Sequence, residues 1–166
     1  MIVSRLPLDE YQVVEQRAHA QAKIEQWSHY PQVPLQLKHH FLPGYYLREL
    51  FIPAGIITVS KIHKFPCLNI LSKGERITTI RDDEEGSPTY GDYVPTRIRA
   101  PHMYWSEAGL QRISYTIEDA VWITQHWNLE DERDIAMLES RFVCATEADY
   151  CNFIKLIDME LPPCPS

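Results

Sequence analysis

The stretch Pro53-Ala54-Gly55-Ile56-Ile57-Thr58-Val59-Ser60-Lys61-Ile62-His63 decides the reading of the fold. A Pro-Ala-Gly turn leads into a run dominated by β-branched residues, the signature of a strand entered from a tight turn. Side chains alternate across a strand, so Ile57, Val59, Lys61 and His63 are expected on one face and Thr58, Ser60 and Ile62 on the other. Working outward, similar short runs recur: Tyr45 to Ile52 upstream, then Leu68 to Leu71, Arg76 to Ile80, Thr96 to Ala100, His102 to Trp105, Gln111 to Ile117 and Ala120 to Gln125. Extended chain is expected from near Gln36. Glu118-Asp119 reads as a tight turn between the last two strands. The segment Arg81 to Pro95 holds Asp82, Asp83, Glu84, Glu85 and two glycines, and reads as a long solvated hairpin loop without the spacing of a calcium loop. Strands this short and this closely spaced leave no room for crossover helices, so the expected fold is an antiparallel β-barrel.

Helical patterns flank this region. Asp9 with Gln12 resembles a helix start, and Val13, Ala20, Ile24 and Trp27 share a face, so a helix is expected over 8–27. After Trp127, Asn128 is read as a cap, with Ile135, Leu138 and Phe142 as a buried stripe. Thr146 with Asp149 makes a capping box for a last helix buried through Tyr150, Phe153, Ile154 and Ile157. The chain therefore reads as one domain over 1–166, with a barrel over 41–126 and a helical segment over 128–158.

With 166 residues and 45% apolar content, one core of ordinary size needs no metal or disulfide to support it. The net charge of −7 opposes nucleic-acid binding, which relies on clustered Lys and Arg. No apolar run reaches the length of a membrane span, and Met1 to Asp9 lacks the pattern of a secretory signal. The four cysteines form no CxxC pair and read as free thiols. Those features point to the cytoplasm, or to an assembly built from it.

Gly55, the five residues Ile56 to Ser60, His63 and Gly74 resemble the first cupin motif, in which a Gly, five residues and His-x-His are followed by a Glu and a later Gly. Lys61 stands at the first His position, and Cys67 or Leu68 at the Glu position. Arg99-Ala100-Pro101-His102 is similar to the second motif. The runs Gly44 to Leu50, Pro53 to Gly55, Lys61 to Lys64, Leu68 to Gly74 and Glu118 to Trp122 also resemble small cupin-like proteins of tailed bacteriophages and prophages. The resemblance implies a cupin-type double-stranded β-helix, or jelly roll. It implies a site for a divalent transition metal (Fe, Mn, Ni or Zn) at His63 and His102; by their places on the expected strands, His126 is a third candidate and Glu49 a candidate oxygen donor.

Three functions follow. The leading one is non-enzymatic: a phage-type accessory or virion-associated binding and structural protein with an eroded metal site, partnered by further copies of itself or by phage structural proteins. The second is a metal-dependent dioxygenase or isomerase. The third is a cupin that binds a small anion or sugar through Lys61, Asn69, Tyr104 and Arg112, with Arg48 as a further anion contact. Each candidate has a plainer reading: hydrogen-bonded histidines near the barrel mouth, a rim lysine, and tryptophans that pack a core or interface.

Overall fold

The computed structural model describes residues 2–5 and 31–160, so the helix expected over 8–27 lies outside the described residues. Two long strands organise everything else: β6 (Cys67–Arg81) and β9 (Ile113–Asn128). They pair antiparallel along most of their length. Near its start β6 also pairs β8 (His102–Ser106), and toward its end β7 (Tyr93–Arg99). On its other edge β9 pairs first β4 (Ile56–Val59) and then β3 (Gly44–Ile52). Two further strands, β1 (Ile2–Arg5) on β4 and β2 (Gln36–Leu42) on β3, complete the set. The result is one strand order, β8–β6–β9–β3–β2, and a second, β7–β6–β9–β4–β1, with β6 and β9 running through both. The fold is thus mainly β and antiparallel, as the periodicity implied, and of the two-sheeted barrel type.

The passage from one sheet to the other happens where sequence alone reads turns. The register of β6 against β9 shifts between Leu71 and Lys73, between Lys73 and Glu75, and between Glu75 and Arg76. Extra residues in one strand bend and twist it, which lets a single strand serve two sheets. Glu118-Asp119 is not a turn: β9 continues through it, and Glu118 stands opposite Glu75. Likewise Leu68 to Leu71 and Arg76 to Ile80 are two ends of one strand. The acid pair is exposed at the bend, where the Asp119 carboxylate accepts the Ala54 N–H at 2.9 Å and Arg99 bridges Glu75 and Glu118. The acidic loop is also shorter than expected, because Tyr93 to Pro95 belong to β7. Asp82 closes it by accepting from the hydroxyls of Ser87 and Thr89 at 2.5 and 2.6 Å.

Two helices follow the barrel, α1 (Ile135–Phe142) and α2 (Glu147–Glu160), separated by β10 (Val143–Cys144), which pairs the short β5 (Ile62–His63). Asn128 is not the cap of α1. It ends β9, and its amide clamps the backbone of Glu132 from both sides. The cap is Asp134, whose carboxylate accepts from the N–H groups of Ala136 and Met137. Leu138 and Phe142 then pack on Tyr46 and Val143. The Thr146/Asp149 box forms as expected, and Tyr150 of α2 packs with Ile62 and Cys144. Asp134→Ala removes the acceptor at the start of α1 and is expected to cost about 1 kcal/mol in urea unfolding.

Candidate functional site

Between the two sheets lies a cavity of about 100 Å³. Its walls come from the inward face of each sheet: Arg48, Leu50, Asn69, Trp122 and Thr124 from one, Thr58, Arg76 and Ser114 from the other. Ser60, Lys61, His63 and Arg112 also line it. The alternation expected for Ile57 to His63 therefore fails midway. Ser60 and Lys61 belong to no strand, and this break resets the phase, so Thr58 and Ser60 share the cavity with Lys61 and His63 while Ile57 and Val59 are fully buried away from it.

Four cationic side chains reach this space. Arg76, only 3% exposed, donates from Nη2 to Thr58 Oγ1 at 2.6 Å and from Nε to Thr116 Oγ1 at 3.2 Å, and its guanidinium lies 4.9 Å from the Trp122 ring centroid. Arg112 is 7% exposed, donates from Nε to the Thr79 carbonyl at 3.0 Å and lies over the Tyr104 ring. Among the described residues its buried Nη2 has no hydrogen-bond partner. Lys61 and Arg48 are held by one carboxylate, Glu139 of α1, at 2.9 and 3.3 Å. Burial alone would raise the Glu139 carboxyl, but the Lys61 hydrogen bond and the Arg48 charge hold it below its ordinary range.

The histidines divide differently from the expectation. His63 and His126 are brought together, with ring centroids 5.6 Å apart, and His126 stacks on Phe142 at 4.4 Å. Burial pushes His63 down to about 3, helped by His126, Arg112 and Arg48, and pushes His126 down to about 4, so both are neutral at neutral pH. His63 Nδ1 is 3.4 Å from Cys67 Sγ, and His126 Nε2 is buried without a partner. His102 is not with them. It lies opposite Leu71, whereas Cys67 lies opposite Ser106, four positions further along β8 or about 13 Å at strand spacing. Glu49 points outward to Lys38 and His40.

The donor set therefore does not fit the metal that the cupin resemblance implies. The His63 and His126 rings are stacked, so their in-plane lone pairs do not converge on one point. Among the described residues, no group of three or more His, Cys, Asp or Glu could hold a metal ion.

Of the expected ligand contacts, Lys61, Asn69 and Arg112 line the cavity. The Asn69 amide is already engaged by Ser106 and Thr124, and Tyr104 serves as the platform under Arg112. Sequence reasoning missed Arg76 and Glu139, and it read Trp122 as packing a core or interface, whereas Trp122 lines the cavity. Arg48 shows the signal that was available: it sits between Tyr46 and Leu50, a charge at a position whose neighbours two residues away are apolar.

No family model matches the chain, and no curated protein matches it. Solved structures of similar arrangement include KdgF from Halomonas sp., at 13% identity and a TM-score of 0.43 over 79% of this chain and 97% of that one. A cupin-2 domain containing protein from Shewanella frigidimarina aligns at 12% identity and 0.40 over 65% and 98%. An oxalate oxidase in complex with glycolate aligns at 14% and 0.43 over 60% of this chain and 55% of that one, so this chain spans about half of its length. The assignment of the fold rests on the strand pairing described above.

Proposed function

We propose that this protein binds a small anion in the cavity between its sheets. One observation carries the reading: Arg112 is buried against the cavity with Nη2 unpartnered, and Arg48, Arg76 and Lys61 line the same space. Among the described carboxylates, Glu139 is the one bonded to cavity cations. A buried guanidinium with an open donor is costly unless an acceptor reaches it, and an anion supplies both the acceptor and the countercharge. Neutral His63, with Thr58 and Ser114, adds polar groups without adding charge.

The enzymatic alternative, a metal-dependent dioxygenase or isomerase, draws no support from a donor set that does not converge. The virion-associated role, with other copies or phage proteins as partners, rests on the phage-like stretches, the first-motif His and Glu positions taken by other residues, and the helices flanking the barrel. Arg112→Met keeps the stem and the packing on Tyr104 but removes the fork. It is expected to weaken anion binding by about tenfold or more, the worth of one charged hydrogen bond, in calorimetric titration of a protein whose circular dichroism is unchanged. Undiminished binding in this variant would remove the proposal's basis.

A further inference from the structure

The cavity is charged at one place and apolar at another. On the inner face of the β8–β6–β9–β3–β2 sheet, Arg48, Thr124 and Asn69 lie in register as one rung. The next rung on that face is Leu50, Trp122 and Leu71, of which Leu50 and Trp122 line the cavity together with Leu37 and Ile52. A ligand that satisfies both rungs carries an anionic head and an aliphatic tail. Inorganic phosphate does not, since oxygens turned toward Leu37, Leu50 and Ile52 would lose water and gain no donor.

The Glu139 carboxylate offsets one of the two positive charges on Lys61 and Arg48 and holds both side chains, and the unpartnered Arg112 Nη2 is left to meet the ligand. Size gives a third constraint. An apolar cavity of about 150 Å³ accommodates benzene, so about 100 Å³ accommodates roughly four to six heavy atoms. Resting on the anion-binding reading, we infer that the ligand is a short-chain aliphatic monocarboxylate. Its head meets Arg112, its tail lies against Leu50 and Ile52, and Glu139 keeps Lys61 and Arg48 from meeting a second carboxylate.

The test is calorimetric titration and thermal melting of the full chain with acetate, propionate and butyrate, and with malonate and inorganic phosphate. Affinity is expected to rise about fourfold per methylene from acetate to butyrate. Malonate and phosphate should bind at least about tenfold more weakly than butyrate, because a second charge or an unpaired oxygen meets the apolar rung. Glu139→Gln frees Lys61 and Arg48, so malonate should gain at least about threefold relative to butyrate. Affinity independent of chain length, or phosphate or malonate binding tighter than every monocarboxylate, would overturn the ligand class and leave the anion cavity standing. An unchanged malonate-to-butyrate ratio in Glu139→Gln would overturn the role of Glu139. No binding by any of the five anions would overturn the anion-binding reading itself, and this inference with it.

Discussion

Acidification from pH 7 to pH 3 is expected to unfold this protein, with stability beginning to fall as the pH drops below 6.5. The sign follows from the two buried imidazoles. In the unfolded chain a histidine takes up its proton near pH 6.5, whereas in the fold His63 does so at about 3 and His126 at about 4. Between those limits the unfolded state binds more protons, so the contribution is fully present above pH 6.5 and is lost as pH falls through the folded values. Two such groups give a slope of up to about 2.7 kcal/mol per pH unit, steep against a typical total of about 5–15 kcal/mol. Glu75 acts in the same direction at lower pH. Hydrogen bonds from Arg97 and Arg99 hold its carboxyl down to about 2, so its share is present above the usual carboxylate range and is lost as pH falls toward 2. Urea midpoints measured from pH 7 to pH 4 should show the slope, and His126→Phe should halve it. That variant keeps the aromatic stack with Phe142 and Tyr46 and removes a ring nitrogen that has no partner. A slope unaltered by His126→Phe would refute the assignment.

Gly74→Ala is the other change expected to be severe, at about 3 kcal/mol or more. Gly74 has φ +83° at the bend of β6, and a β-carbon there would fall inside contact distance of the Asp119 carbonyl oxygen and close to Ala120 Cα, both backbone atoms of β9. No side chain can swing aside to relieve that clash. Gly55 gives the control, with φ +76° but nothing within 4 Å of an added methyl, so Gly55→Ala should cost only about 1 kcal/mol. Thermal melts of the two variants, side by side, separate a backbone clash from the conformational cost alone. Equal shifts would show that the close approach of β6 and β9 is not what fixes this glycine.

These two glycines also show how far the sequence was readable. Both match positions of the cupin motif, and the structure supplies the physical reason: each has a positive φ, and one sits where a backbone crosses. Alternation located most of the strands, and the Thr146/Asp149 capping box was legible because it is local. What alternation could not show was continuity. Gly74 and Glu118-Asp119 carry turn chemistry, yet pairing between distant segments carries both strands straight through. The same limit applies to the cavity. A break at Ser60 and Lys61 shifts the phase by one residue, which sequence periodicity does not signal, and that shift decides which side chains face the ligand. Glu139 was invisible for a different reason. It lies on a helix whose distance from Lys61 in the chain gives no hint of their contact.

The continuity of β6 and β9 bears on the order in which the chain assembles. Leu68 must find Gln125, and Thr78 must find Ser114, before either sheet has its central pair. The β2–β3 hairpin and the β6–β7 hairpin can close early from neighbouring residues, but neither encloses the cavity. Closure waits on these non-local pairings and on the still more distant pairing of β3 with β9, such as Gly44 with Asn128, which places this protein among the slow, topology-limited folders. A nascent chain released before residue 128 would hold its hairpins with half of their inner faces open to water.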